Sequence, residues 1–282
     1  MGNLFALRGV EPAMRRTSAL VLAAALLLTS AACGDDDTPV ATGGDTGTVS
    51  VSITVGGGFV PAGIDFASVP TLVQADGTVF TGGPITMQYP GPALSPVLTG
   101  KLAAAEMDHL RDAATAAGLD EDGADFGQPG ITDVGTTTIT VELDGTEHTT
   151  AVYALGFEDQ AGGITAAQAA ARKKVNAFVT DLTERVTGAA DAPFEPSAFQ
   201  VQAIQSEPAS SFTEEPRPNE LAWPFPDVAL TTEHCIDLTG AQATTFAQTL
   251  EGATAITVWT DAAGASWHLA VRATLPDDEP CA

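Results

Sequence analysis

The dipeptide Asp144-Gly145 constrains the fold of this chain more than any other feature. Upstream, Val134 to Leu143 contains Thr136-Thr137-Thr138-Ile139-Thr140-Val141, a β-branched run that suits a pleated strand. Downstream, His148 to Leu155 reads as the returning strand. Asp-Gly between two such runs specifies a tight hairpin, because a type I′ turn needs positive φ at both central residues. Antiparallel pairing is therefore expected around residues 134–155.

A second Asp-Gly, Asp76-Gly77, sits between Leu72-Val73 and Val79-Phe80, and another type I′ hairpin is expected over Thr71 to Phe80. Before it, Val49, Val51, Ile53 and Val55 alternate with polar residues, as in a half-buried strand. Gly56-Gly57-Gly58 breaks this strand and reads as a turn, since it lacks the Lys and Ser/Thr of a phosphate-binding loop. A connection containing Pro84, Pro90, Pro92 and Pro96 follows. Leu102, Met107, Leu110 and Ala114 then recur at helical spacing, with Gly118 as the natural stop. A second helix is expected from Thr165 to Val186, with Val175, Phe178, Val179, Leu182 and Val186 on one stripe. A strand over Phe199 to Ile204 is expected to close the unit. The fold class is α+β: an antiparallel-rich sheet built from two hairpins, with two helices packed on it, over residues 48–205.

Residues 206–227 hold five prolines and four glutamates and read as a linker or surface loop. A small αβ unit over 228–282 follows. Strands are expected at 228–238, 256–259 and 267–273, and a helix at 242–250. A core of this size is marginal alone, so docking on the first sheet is expected. The unit contains Cys235 and Cys281. In an exported chain these two most simply form one disulfide, closing a loop of about 45 residues. The alternative, a metal or redox pair, matches neither a Cys-x-x-Cys motif nor zinc-site spacing.

Export is suggested by the first residues. Arg15 and Arg16 precede an apolar run from Ala19 to Leu28, then small residues from Thr29 to Ala32, Cys33, and Gly34-Asp35-Asp36-Asp37. The run is too short for a transmembrane helix of roughly 20 residues but suits a signal-peptide core of about 7–15. The order resembles a bacterial lipoprotein signal peptide over residues 1–32, with Met14 as the functional start. The resemblance implies that Cys33 is lipidated and anchors the mature chain to the extracytoplasmic face of the cell membrane. Ser30 stands where that pattern prefers an aliphatic residue. The alternative is ordinary cleavage at an Ala-x-Ala-like site, leaving Cys33 free. Residues 33–47, rich in Asp, Thr and Gly, read as a flexible acidic tether.

Loss of the leader removes Arg8, Arg15, Arg16 and Glu11, leaving eight basic and 35 acidic residues and a net charge near −27. Such a charge repels nucleic acid and anionic headgroups, and it also keeps an exported protein soluble. No nucleic-acid partner is expected.

The sequence offers little catalytic chemistry. No Gly-x-Ser-x-Gly elbow, Ser-x-x-Lys or His-Glu-x-x-His motif is present, and no catalytic residue or cofactor is assigned. His109 lies on the first helix, His148 and His268 in strands, and His234 beside Cys235. The densest carboxylate cluster is Asp120-Glu121-Asp122-Gly123-Ala124-Asp125. Asp120, Asp122 and Asp125 are calcium candidates, although EF-hand spacing is not met and a solvated acidic loop explains the cluster equally well.

The segments Gly57-Gly58-Phe59-Val60-Pro61, Asp76-Gly77-Thr78-Val79, Pro90-Gly91-Pro92, Pro129-Gly130-Ile131-Thr132-Asp133 and Tyr153-Ala154-Leu155-Gly156 resemble secreted lipoproteins of high-GC actinobacteria. The resemblance implies fold and location and carries no activity. The expected role is a non-enzymatic interaction or binding module of the cell envelope, with an envelope protein as a possible partner. An envelope hydrolase with a non-local site and a protease-inhibitor-like module are the alternatives.

Overall fold

A computed structural model describes residues 47–158 and 162–281. The expected leader, Cys33 and the tether as far as residue 46 lie outside the described residues.

Strand β1 (Val49–Gly56) is central to the first sheet. It pairs antiparallel with β2 (Thr71–Val73) on one side and β5 (Thr136–Leu143) on the other. Beyond β2 come β3 (Thr78–Gly82), β4 (Val97–Lys101) and β7 (Ala190–Pro193); beyond β5 comes β6 (Thr146–Tyr153). All pairings in this seven-stranded sheet are antiparallel. Val49, Val51, Ile53, Ile139 and Val141 point into one core, while their polar neighbours lie on the opposite face. The core is closed by α2 (Ala104–Ala117) and α3 (Ala166–Ala189). Helix α2 stops at Gly118 (φ 76) as expected, and α3 starts at Thr165, whose hydroxyl accepts the Gln168 N–H. On α3, Val175, Phe178, Leu182 and Val186 are buried, as the stripe predicts.

The two Asp-Gly turns differ. Asp144 (φ 53) and Gly145 (φ 78) both adopt positive φ, and Leu143 pairs directly with Thr146, giving the expected two-residue turn. At the first hairpin only Gly77 (φ 85) does so. The Gln74 N–H donates to the Thr78 carbonyl at 2.8 Å, closing a three-residue loop with a left-handed glycine at its end. Asp76 serves elsewhere: its carboxylate accepts from the Thr78 N–H and from Lys101 Nζ, each at 2.8 Å.

The second sheet contains β8 (Ala198–Gln205), β9 (Glu220–Ala222), β10 (Cys235–Thr239), β11 (Val258–Thr260) and β12 (Ser266–Ala273), in the order β10-β8-β12-β11-β9. Here the sequence expectation needs correcting, because β8 does not close the first sheet. It lies between β10 and β12, pairing antiparallel with both. The chain leaves the first sheet at Pro193 and enters the second at Ala198. Between them Phe194 packs edge-on against Phe80, with ring centroids 5.1 Å apart. The segment 206–227 is not merely a linker. It contributes β9, parallel to β11, and buries Trp223 among Phe246, Trp259 and Phe225. Helix α4 (Gly240–Leu250) covers that face through Ala243 and Phe246. Of the strand expected at 228–238, only the part from Cys235 pairs.

Phe80 and Val97 of the first sheet join Ala273 and Leu275 in a third cluster, and all described residues fall in one compact unit. The tail is fastened by the Cys235–Cys281 disulfide. It is also held by Gln200, whose amide donates to Asp237 Oδ1 (3.0 Å) and the Glu279 carbonyl (2.8 Å).

One buried cation ties α3 to the first sheet. Arg172 has no exposed side-chain surface and pairs with Glu158, itself nearly buried, at 3.2 Å. Its guanidinium also donates to the carbonyls of Tyr153, Ala154 and Phe126. Removing one partner of a buried ion pair strands the other charge, at a cost of about 3–5 kcal/mol. Arg172→Leu should lose that much in urea unfolding, and adding Glu158→Gln should recover a substantial part. Failure of the second substitution to recover stability would show that the pair is not the source.

Candidate functional site

The groups singled out from the sequence are dispersed. Asp122 Oδ1 contacts His148 Nδ1 at 3.2 Å. Asp125 accepts from the Gly127 N–H (2.9 Å) and from Gln168 Nε2 (2.9 Å), contacts that hold its carboxyl below the usual range, the Gly127 bond contributing most. Asp120 borders a separate cavity beside Arg111 and Asp144. Among the described residues, no three His, Cys, Asp or Glu side chains are placed to hold a metal ion. The thiols of Cys235 and Cys281 are consumed in their mutual bond.

His109 belongs to a polar cluster between α2 and α3. Its Nε2 lies 2.8 Å from Asp181 Oδ2, and Arg185 Nε lies 3.1 Å from the same carboxylate. The Arg185 hydrogen bond, then that from His109, holds the Asp181 carboxyl below its ordinary value. A depressed carboxyl pKa means that this contribution to stability is present above about pH 4 and lost as pH falls through the folded-state value. The melting temperature should therefore fall less steeply below pH 4 in Asp181→Asn than in the unsubstituted chain. Parallel profiles would remove Asp181 from the account.

The feature best suited to binding lies on the face of the second sheet opposite α4. The short helix α1 (Ile64–Ala67) rests on β12, with the Arg272 guanidinium 5.5 Å from the centre of the Phe66 ring. This contact requires Gly63. Its φ is 84°, and a Cβ there would lie 2.7 Å from Ile204 Cδ1 and 2.8 Å from Ala270 Cβ. Between α1, Pro92–Ser95 and the strands runs an open groove of about 480 Å³. Its walls include Ile64, Ile204, Ile256 and Ala270, and its polar side chains are Ser95 and His268. Among the described residues, no Lys, Arg, Asp or Glu lines it.

The segments entering the groove walls carry exposed apolar side chains: Phe59 and Val60 just before Pro61, and Ile85, Met87 and Tyr89 just before Pro92. His268 lies in a strand as expected, but the groove beside it has no signature in the sequence. The alternation of His268, Ala270 and Arg272 with Leu269 and Val271 marks the strand, but not what covers its second face. The apolar content of 59–64 and 85–89 is the sequence signal nearest to it.

No protein-family model, curated protein or solved structure matches this chain.

Gly63→Ala combines a left-handed φ with a steric clash, so it should destabilise by about 1–3 kcal/mol in urea unfolding. An unchanged midpoint would mean that α1 is not seated as described.

Proposed function

We propose that this chain is a lipid-anchored, non-enzymatic binding module of the bacterial cell envelope, tethered through Cys33, whose binding face is the groove between α1 and the second sheet. The observation carrying the reading is the groove itself: an apolar, uncharged cleft in a chain of net charge −25, entered by two segments rich in exposed apolar side chains. Ligand sites are commonly concave and mostly apolar, with a few polar groups that orient the ligand. The anchor rests on the order of basic, apolar and small residues before Cys33. Among the described residues, no helix is long and apolar enough to cross a membrane. The acidic surface holds the domain away from anionic headgroups.

Two measurements test the two parts. Cys33→Ala should move the protein from the membrane to the soluble fraction; membrane retention would contradict the anchor. The full chain carrying Cys33→Ala should enhance the fluorescence of Nile red, an uncharged apolar dye, and Ile256→Asp should remove most of the saturable enhancement. Enhancement that ignores Ile256→Asp in a protein melting at the same temperature would place dye binding elsewhere and defeat the binding-face reading.

A further inference from the structure

The groove has one fixed polar feature, His268. Its Nδ1 lies 3.3 Å from the Thr257 carbonyl oxygen, and the Thr257 side is buried. A carbonyl only accepts, so the ring proton sits on Nδ1 and Nε2 of the neutral ring is an acceptor. The Phe212 ring stands edge-on to the imidazole, with centroids 6.3 Å apart. The remaining groove walls are aliphatic apart from Ser95. A ligand buried here meets an apolar surface, one oriented acceptor and no cation to neutralise an acid.

We propose that the groove takes an uncharged, single-chain amphiphile whose hydroxyl donates to His268 Nε2. The proposal rests on the groove being the binding face and names the ligand's chemistry. The alkyl chain would lie along Ile64, Ile204, Ile256 and Ala270, gaining burial in proportion to the apolar area removed from water. An alkyl carboxylate is disfavoured twice. Its headgroup would be desolvated with no basic partner in the groove, and it would approach a strongly acidic chain.

The test uses the full chain with Cys33→Ala and displacement of Nile red by three probes with the same decyl chain. These are 1-decanol, its methyl ether, which cannot donate, and decanoate. The alcohol should bind roughly 3- to 10-fold more tightly than the ether, the worth of one net hydrogen bond. Decanoate should bind at least about tenfold more weakly than the alcohol. His268→Phe should abolish the preference of alcohol over ether, while His268→Gln, which retains an acceptor, should keep part of it. The alcohol–ether comparison stands on the unsubstituted groove even if a His268 variant folds poorly. Equal binding of alcohol and ether, or tightest binding of decanoate, would overturn the proposal while leaving the groove a binding face. Failure of all three to displace dye, with no Ile256→Asp effect on the dye, would overturn both.

Discussion

Everything on the α1 side of the second sheet depends on one close approach, the packing of Gly63 against Ile204 and Ala270. A side chain at position 63 would meet the carbon atoms of both strands inside van der Waals contact. Glycine also supplies the left-handed backbone that turns the chain into α1. Seated this way, α1 covers part of the face that α4 does not, and the uncovered remainder is the groove. Arg272 strengthens the seat from below. It stacks on Phe66, donates to the side-chain oxygen of Gln200 at 2.8 Å, and lies 3.4 Å from Asp278. The same arginine therefore links α1, the middle of the sheet and the disulfide-bound tail.

Charge is distributed to match. Acidic residues outnumber basic ones by 36 to 11, and carboxyls with depressed pKa values are held by local donors, among them Asp181 by Arg185, and Asp261 by the Trp267 indole and then by backbone N–H groups of its turn. Among the described residues the one fully buried guanidinium, Arg172, is matched by Glu158 and three carbonyls under the first sheet. The groove has neither kind of charge. As the proposed binding face, an uncharged cleft in so acidic a chain would select against anions by desolvation inside and by repulsion outside, through what the walls omit as much as through His268.

The parts of this arrangement that were legible in the sequence are those determined locally. Asp144-Gly145 demanded its turn, Gly118 ended α2, and the Val175–Val186 stripe faced the core because each follows from backbone conformation or side-chain period alone. Asp76-Gly77 misled, since the same dipeptide also suits a three-residue loop once Asp76 is engaged by Thr78 and Lys101. Strand β8 was visible as a strand, but its sheet was not, because strand patterning carries no information about partners. The proline- and glutamate-rich segment disguised β9 and Trp223: prolines mark extended chain, and a three-residue edge strand is only extended chain that has found a partner. The groove was illegible for the same reason. It is assembled from residues about 60, 93, 204, 256 and 268, which only tertiary packing brings together. Arg172 lay in the helix as an ordinary cation, and its burial follows from loops that carry no motif.

The central claim, that this groove holds an alkyl chain beside His268, is tested most directly by intermolecular nuclear Overhauser effects in the soluble full chain saturated with 1-decanol. The account predicts contacts from the chain methylenes to the methyl groups of Ile204, Ile256 and Ala270, with the carbinol protons nearest the His268 ring. Contacts confined to Phe59, Ile85 and Met87, with none to those three methyl-bearing residues, would contradict it.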